Sequence, residues 1–442
     1  MTPTMRARTT LLLNLTSQGA AALLGLLLIK LSVSYFSVPA YGTAALLLGL
    51  HALVRNAALN PLLNLAIYAH PREGREHGMG WTHRATSGAV GVLCGLALPL
   101  FLAASWGLGL PWPQVIPGAL LLLTLLVAEA FKTERLNLLH SRGLASRFAV
   151  WTLLDAAAKP LMVLLASRLP LPHGALLLLA SHGAGGVLML GLTALDPMAR
   201  RFTQERFSEL PVPPPGVWLH AHRAFLLPLL GVGLTAWVTG LSDRYLVNAF
   251  LGAHQAGIYA GIYALFSAPF LIAGTVVLLS VRPQALQLTA EGALGEARQM
   301  LWRYLRIMAL GVGALALALF LLRIVLVRIL LAPAYAAGLC VVPGLVLGNA
   351  ILALGTILEQ HFYLQRRTHL VLLKQMVGSI TALASVALAL HGWGFEGAGW
   401  ACPAYASLEF TAGLWLLRKS SAMGIDQSAE TADSASEPSR DR

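Results

Sequence analysis

The chain has 442 residues, 57% of them hydrophobic and only 11% charged, with a formal net charge of +12. A soluble domain carries about 25% charged residues, so a water-facing surface over most of this chain is excluded. Mean hydropathy is +0.70, and apolar runs of the length needed to cross a bilayer as helix, about 20 residues, recur from end to end. In hydrocarbon the backbone must satisfy its own hydrogen bonds, which leaves helices or closed barrels. The runs are continuous rather than alternating with period two. The sequence therefore predicts an all-α polytopic membrane protein.

Twelve spans are predicted, near 10–34, 41–68, 86–109, 114–134, 146–168, 174–195, 222–249, 255–281, 302–331, 338–363, 369–391 and 396–418. The first is read as retained rather than cleaved, because its apolar run exceeds a signal h-region and lacks a small-residue cleavage site. Asn14 and Gln18 add polar surface to its inner half. The second span carries His51 and Arg55 near mid-membrane, with Asn56, Asn60 and Asn64 repeating every four residues. That spacing lines one stripe of a helix, and such a stripe facing lipid would be very unfavourable. It should face protein or a wet cavity. Asp155 and Lys159 lie four apart in the fifth span, and His182 lies deep in the sixth. Asp155 and Lys159 read either as an ion pair that neutralises itself within one helix or as a lysine poised for an anion.

Residues 197–221, which include three consecutive prolines, form the expected linker between an N-terminal lobe (1–196) and a C-terminal lobe (222–419). In the seventh span Asp243 and Arg244 stand side by side near the outer end. Gly257 opens the eighth span as Gly42 opens the second, 215 positions earlier, which suggests duplicated halves. Glu409 lies deep and isolated in the twelfth span. It reads as a proton or sodium site or as a hydrogen-bonded structural acid. Lys30, Arg168, Arg244, Arg323 and Arg328 near outer ends read as snorkelling side chains, and Glu129, Glu359 and Lys374 near inner ends take the same reading. Residues 420–442 are polar and small, and a disordered tail is expected.

Connections after odd-numbered spans are mostly short, whereas those after even-numbered spans are longer and basic: Arg72, Arg75 and Arg84; Lys132, Arg135, Arg142 and Arg147; Arg200, Arg201, Arg206 and Arg223; Arg282, Arg298, Arg303 and Arg306; Arg366, Arg367 and Lys374. The positive-inside rule puts these loops and both termini in the cytoplasm. Arginine spread over separate loops is no nucleic-acid patch. Cys94, Cys340 and Cys402 all lie within spans, so neither a disulfide nor a metal site is suggested, and no cofactor is expected.

The segment 241-LSDRYLVNAFLGAHQAGIYAGIYAL-265 resembles the seventh-to-eighth helix signature of polysaccharide and O-antigen flippases, a family of the multidrug/oligosaccharidyl-lipid/polysaccharide exporter superfamily. The stretches 31-LSVSYFSVPAYGTAALLL-48, 332-APAYAAGLCVVPGLVLG-348 and 357-ILEQHFYLQRRTHLVLLKQMVGS-379 support it. The resemblance implies two six-helix lobes around a central cavity that opens alternately to each side. It implies a polyprenyl-diphosphate-linked oligosaccharide as cargo, with membrane lipids and other polysaccharide-assembly proteins as partners. A diphosphate crossing the membrane needs a cation, and a guanidinium binds it through paired hydrogen bonds. Arg55, Lys159, His51, Asn56, Asn60, Asp155 and His182 are then the cavity candidates, Glu409 the ion-coupling candidate, and Asp243, Arg244 and Gly257 a structural corner. The other reading of Arg55 is a residue that pairs with an acid, or caps carbonyls, inside the lobe.

The alternative function is ion-coupled efflux of small cationic or amphipathic compounds, for which a mid-membrane arginine is awkward because it repels the cargo. A membrane enzyme of the same pathway would need a large outer loop, and the outer loops here are a handful of residues each. The major-facilitator signature after the second helix is absent from 70-HPREGREHGMGWTHR-84.

Overall fold

The computed structural model describes residues 3–63, 65, 79–108, 110–141, 144–172, 174–197, 214–365 and 367–434. Asn64, several loop arginines and most of the linker lie outside these residues, and the side chains of Asn14 and Arg84 are also not described. Among the described residues there are helices and no strands. In the first lobe α1 is Pro3–Tyr35, α2 Val38–Val54 running into a π-turn at Arg55–Leu59, α3 Met79–Gly107, α4 Trp112–Ser141, α5 Ala145–Ala166 and α6 Ala175–Leu195. The linker contributes a short α7, Pro215–Ala221. The second lobe has α8 Arg223–Ala290, α9 Leu294–Leu330, a 3-10 turn at Pro333–Cys340, α10 Val342–Leu364 and α11 Thr368–Ser434.

Ten described segments are long and apolar enough to cross a membrane, and two of them run to 50 and 51 residues. A straight helix of that length would reach about 75 Å, more than twice the hydrocarbon thickness. Both are broken in the middle by a glycine in the left-handed region, Gly252 (φ 84°) in α8 and Gly394 (φ 59°) in α11. An L-residue there costs roughly 1–2 kcal/mol, which explains glycine at each reversal. Each long helix thus becomes two antiparallel arms, 223–251 and 253–290 in α8, 368–393 and 395–434 in α11. The chain makes about twelve crossings in two lobes, as the sequence predicts.

Several boundaries differ. The eighth and ninth spans extend beyond the apolar core, to Ala290 and back to Leu294, as amphipathic helix on the basic face. The twelfth span continues as helix to Ser434 where disorder is expected for the tail. Extending an existing helix avoids the unfavourable nucleation step, so even a polar, alanine-containing segment can follow the span in helical form.

The lobes meet through α8, which packs on α1, α2 and the π-turn. The repeated glycines lie at this contact: an ideal Cβ on Gly42 would stand 2.5 Å from the Ala253 carbonyl oxygen and 2.8 Å from the Gly257 nitrogen. A Cβ on Gly257 would collide with the Val38 carbonyl. The two corners therefore touch backbone to backbone, and Tyr41 meets Tyr335 of the 3-10 turn edge-on at 6.2 Å. Trp237 Nε1 donates to the Gly49 carbonyl at 2.7 Å and the Tyr245 hydroxyl to the Leu46 carbonyl at 2.6 Å, fastening α8 to α2. Gly42→Val is expected to force the lobes apart and lower stability by about 1–3 kcal/mol, the usual cost of overpacking. Thermal unfolding of the purified protein reads this directly, and an unchanged transition would contradict the close approach.

The outward surface is apolar, with exposed Trp106, Trp112, Trp393 and Trp400 toward the non-basic end and Trp302 and Trp415 toward the basic end. Tryptophans at both ends mark the two membrane–water interfaces. This is a multi-pass membrane protein.

Candidate functional site

Glu129 of α4 is the hub of the first lobe's polar interior and is only 4% exposed. Its Oε1 accepts from Lys159 Nζ at 3.0 Å, and its Oε2 lies 3.3 Å from Arg55 Nη1. His51 Nε2 stands 3.7 Å from the same Oε2, beyond hydrogen-bond length. Three helices, α2, α4 and α5, thus bring their ionisable groups to one carboxylate. Arg55 and Lys159 are two cations that share one carboxylate, so this trio carries one surplus positive charge.

Local structure explains how Arg55 reaches it. Pro61 has no N–H to donate to the Ala57 carbonyl, so a regular turn is interrupted there. The chain widens into the π-turn Arg55–Leu59 just before it, with the Asn60 N–H reaching back to the Arg55 carbonyl. Such single π-turns recur at functional sites. Asn60 Nδ2 donates to Asn56 Oδ1 at 3.2 Å, and Arg55 Nε lies 3.3 Å from the same oxygen. Asn56 and Asn60 therefore share one face, as their spacing predicts, and help aim the guanidinium. Arg55's side chain is 39% exposed and Lys159's 23%, so both cations keep access to water or ligand.

Of the two readings of Asp155 and Lys159, the ion pair within α5 does not form. Asp155 Oδ1 accepts from Lys132 Nζ at 2.7 Å, while Lys159 turns to Glu129. Neighbours four apart on one helix compete with groups on adjacent helices, and α4 offers each of them a buried partner of opposite charge. The inner-end reading of Glu129 also fails. Snorkelling presumes a lipid-facing side chain, and Glu129 faces the lobe interior. His182 Nδ1 donates to the Leu178 carbonyl at 2.9 Å, which leaves Nε2 as the acceptor.

His182 lines a cavity of about 210 Å³ between the lobes, together with Ser32, Tyr41, Gly49, Ala52 and Arg244. Arg244 does not snorkel: its guanidinium lies over the Tyr263 ring at 4.7 Å, and its Nε has no hydrogen-bond partner. The outer-end reading fails here because α2 covers this side of α8. Asp243 is the structural half of the doublet, accepting from the Arg244 N–H at 2.8 Å and the Tyr259 hydroxyl at 2.7 Å. That second bond ties the two arms of α8 together below the Gly252 reversal.

The second lobe has its own charged interior. Lys374 Nζ donates to Glu409 Oε1 at 2.6 Å and to Glu359 Oε1 at 3.0 Å, so Glu409 is not the isolated acid the sequence suggests. Sequence depth could place Lys374 and Glu409 near the same membrane level only if the arms of α11 were known to lie side by side. The triad borders a cavity of about 330 Å³ that also includes Thr239, Asn349, Thr356 and Gln375. Among the described residues no group of three or more His, Cys, Asp or Glu side chains could hold a metal.

Sequence reasoning missed Glu129, Lys132, Glu359 and Lys374 as partners. One signal was present: Glu129 and Lys132 are three apart and so share a helix face, an acid and a base together on a helix otherwise bound for lipid.

No family model matches the sequence, and no curated protein matches it. Solved structures do match in fold. One is described as the inward-facing conformation of a multidrug resistance MATE family transporter of the MOP superfamily, at 13% identity and a TM-score of 0.71, over 90% of this chain and 95% of that one. The lipid II flippase MurJ in its inward closed conformation matches at 13% identity and a TM-score of 0.65, over 93% of this chain and 87% of that one. The MATE transporter VcmN of Vibrio cholerae matches at 13% identity and a TM-score of 0.58, over 94% of each chain. The chain shares its fold with these transporter structures.

Proposed function

We propose that this protein is a flippase that carries a polyprenyl-diphosphate-linked oligosaccharide from the cytoplasmic to the periplasmic leaflet for surface polysaccharide synthesis, by alternating access between its lobes. The observation that carries this reading is the surplus positive charge of the Arg55–Glu129–Lys159 cluster, whose two cations remain partly open. A diphosphate brings several acceptor oxygens and competes with the single Glu129 carboxylate for both cations. Arg244 adds a guanidinium from the second lobe, in the interlobe cavity that reaches within three residues of Arg55 at Ala52. A site built from both lobes is suited to alternating access, because cargo binding is then sensitive to how the lobes sit. The lipid II flippase among the structures of this fold moves a lipid-linked cargo by its name. The alternation of short and basic connections along the sequence puts the basic ones on one side, which the positive-inside rule assigns to the cytoplasm.

Arg55→Ala removes a charge-assisted contact worth about 2 kcal/mol, so translocation is expected to fall roughly thirtyfold. Surface glycan should drop accordingly while the protein stays at its normal level in the membrane, and Arg55→Lys should retain part of the output. Normal glycan from the alanine variant would sink the cargo role.

Ion-coupled efflux is the second reading. It draws on the multidrug transporters that share the fold and on the acid-lined cavity of the second lobe. Unchanged surface glycan together with drug hypersensitivity in a deletion strain would favour it.

A further inference from the structure

On the basic face, away from the interlobe cavity, a cleft of about 300 Å³ is bounded by Arg298, Trp302, His361, Leu414, Leu417 and Arg418. Three helices build it: the start of α9, the last turn of α10 and the middle of the second arm of α11, where its apolar span ends. From this geometry we infer that the cleft is a binding site for an anionic phospholipid of the surrounding leaflet, with its phosphate between the two guanidiniums and an acyl chain along the leucines.

Charge is the first argument. Among the described residues neither Arg298 nor Arg418 is paired with an acid, although two guanidiniums and an imidazole border one small space. Nearby Glu359 is already engaged by Lys374. The two guanidiniums repel each other and are relieved by an anion with several acceptor oxygens, the geometry a phosphate offers a guanidinium.

The second argument is the buried imidazole. His361 is 1% exposed; the Ile357 and Leu358 carbonyls stand beside the ring and can serve at most one of its nitrogens, which leaves the other without a protein partner. An unsatisfied buried polar group is costly, and a phosphate oxygen or ester oxygen in the cleft would satisfy it. The Trp302 ring lies beside it, tilted by 55° with ring centroids 5.2 Å apart, and tryptophan is a residue favoured at the membrane–water interface.

Position selects a lipid over a free anion. The apolar window of α9 is only 11% buried, so this helix is peripheral and bordered by lipid. Arg298 and Trp302 of this helix line the cleft, so a lipid bordering the helix can reach it. Leu414 and Leu417 supply an apolar wall that a free phosphate does not need. The site is separate from the Arg55 cluster and does not depend on which cargo the protein carries.

The test uses the purified full-length protein in detergent, titrated with brominated phosphatidylglycerol. The quenching of Trp302 is taken as the difference between wild type and Trp302→Phe. Saturable quenching is expected, at least tenfold stronger than with brominated phosphatidylcholine. Arg298→Gln combined with Arg418→Gln should raise the half-saturating concentration about thirtyfold, the combined effect of two arginines near an anionic lipid surface. Leu417→Gln should also weaken lipid binding while leaving any effect of inorganic phosphate unchanged. Equal quenching by both lipids, or a wild-type curve from the double variant, would overturn the inference. Displacement of phosphatidylglycerol by millimolar inorganic phosphate alone would assign the cleft to a free anion instead.

Discussion

Glu129→Ala is expected to destabilise the first lobe by about 3–5 kcal/mol, the range for removing one partner of a buried ion pair. The carboxylate accepts from Lys159 and Arg55, and without it two cations face each other in a membrane interior. Arg55 can turn toward water because its side chain is 39% exposed, so the effect should fall toward the lower end of that range. The diagnostic variant is the double one. Lys159→Met with Glu129→Gln removes both charges and leaves groups of similar shape, and replacing a buried pair by neutral residues is often close to neutral. Stability should therefore return, which a double-mutant cycle on thermal unfolding would read. Transport should not return, because one of the two cations proposed to hold the diphosphate is gone. A double variant that restores surface glycan along with stability would reduce the cluster to a structural ion pair.

That separation matters because sequence alone gave two readings of Arg55, and the structure contains elements of both. The arginine does pair with an acid inside the lobe, and it also stays partly open with charge to spare. Hydropathy marks where the chain crosses, which is why the twelve crossings and the doublet at the α8 corner were legible. It does not say which way a side chain faces around the helix, nor which helix stands opposite. Glu129, Glu359 and Lys374 have the depth of snorkelling residues and the surroundings of buried ones. Asp155 and Lys159 illustrate the same gap from the other side. Their spacing permits a bond, and only the position of α4 decides that each bonds elsewhere. The Gly42–Gly257 match, by contrast, was visible as repetition, although its meaning was not. The two glycines are alike because they pack on one another.

The second lobe yields the other large effect. Lys374→Met should destabilise the protein by about 3–5 kcal/mol, because it strands Glu359 and Glu409 as two facing carboxylates. Lys374 is 2% exposed, so its ammonium cannot be replaced by water from the surface without rearrangement. The surrounding backbone shows how closely the group is fitted. A Cβ on Gly355 would stand 3.3 Å from Nζ, and one on Gly413 would stand 3.2 Å from Cδ. A Cβ on Gly378 would collide with Glu409 Oε2. Three glycines from α10 and the two arms of α11 thus make room for one ammonium and its carboxylate. Lys374→Arg is accordingly no conservative change: the planar fork is wider than the ammonium and meets this cradle, so it should also lose stability, by about 1–3 kcal/mol of overpacking. Restoring space does not help, but removing charge does. Adding Glu409→Gln to Lys374→Met lowers the stranded charge from two carboxylates to one, and should recover part of the loss in thermal unfolding of the purified protein. If Lys374→Met unfolds like the wild type, the ammonium is not what neutralises this pair, and the second lobe must take its cation from solution.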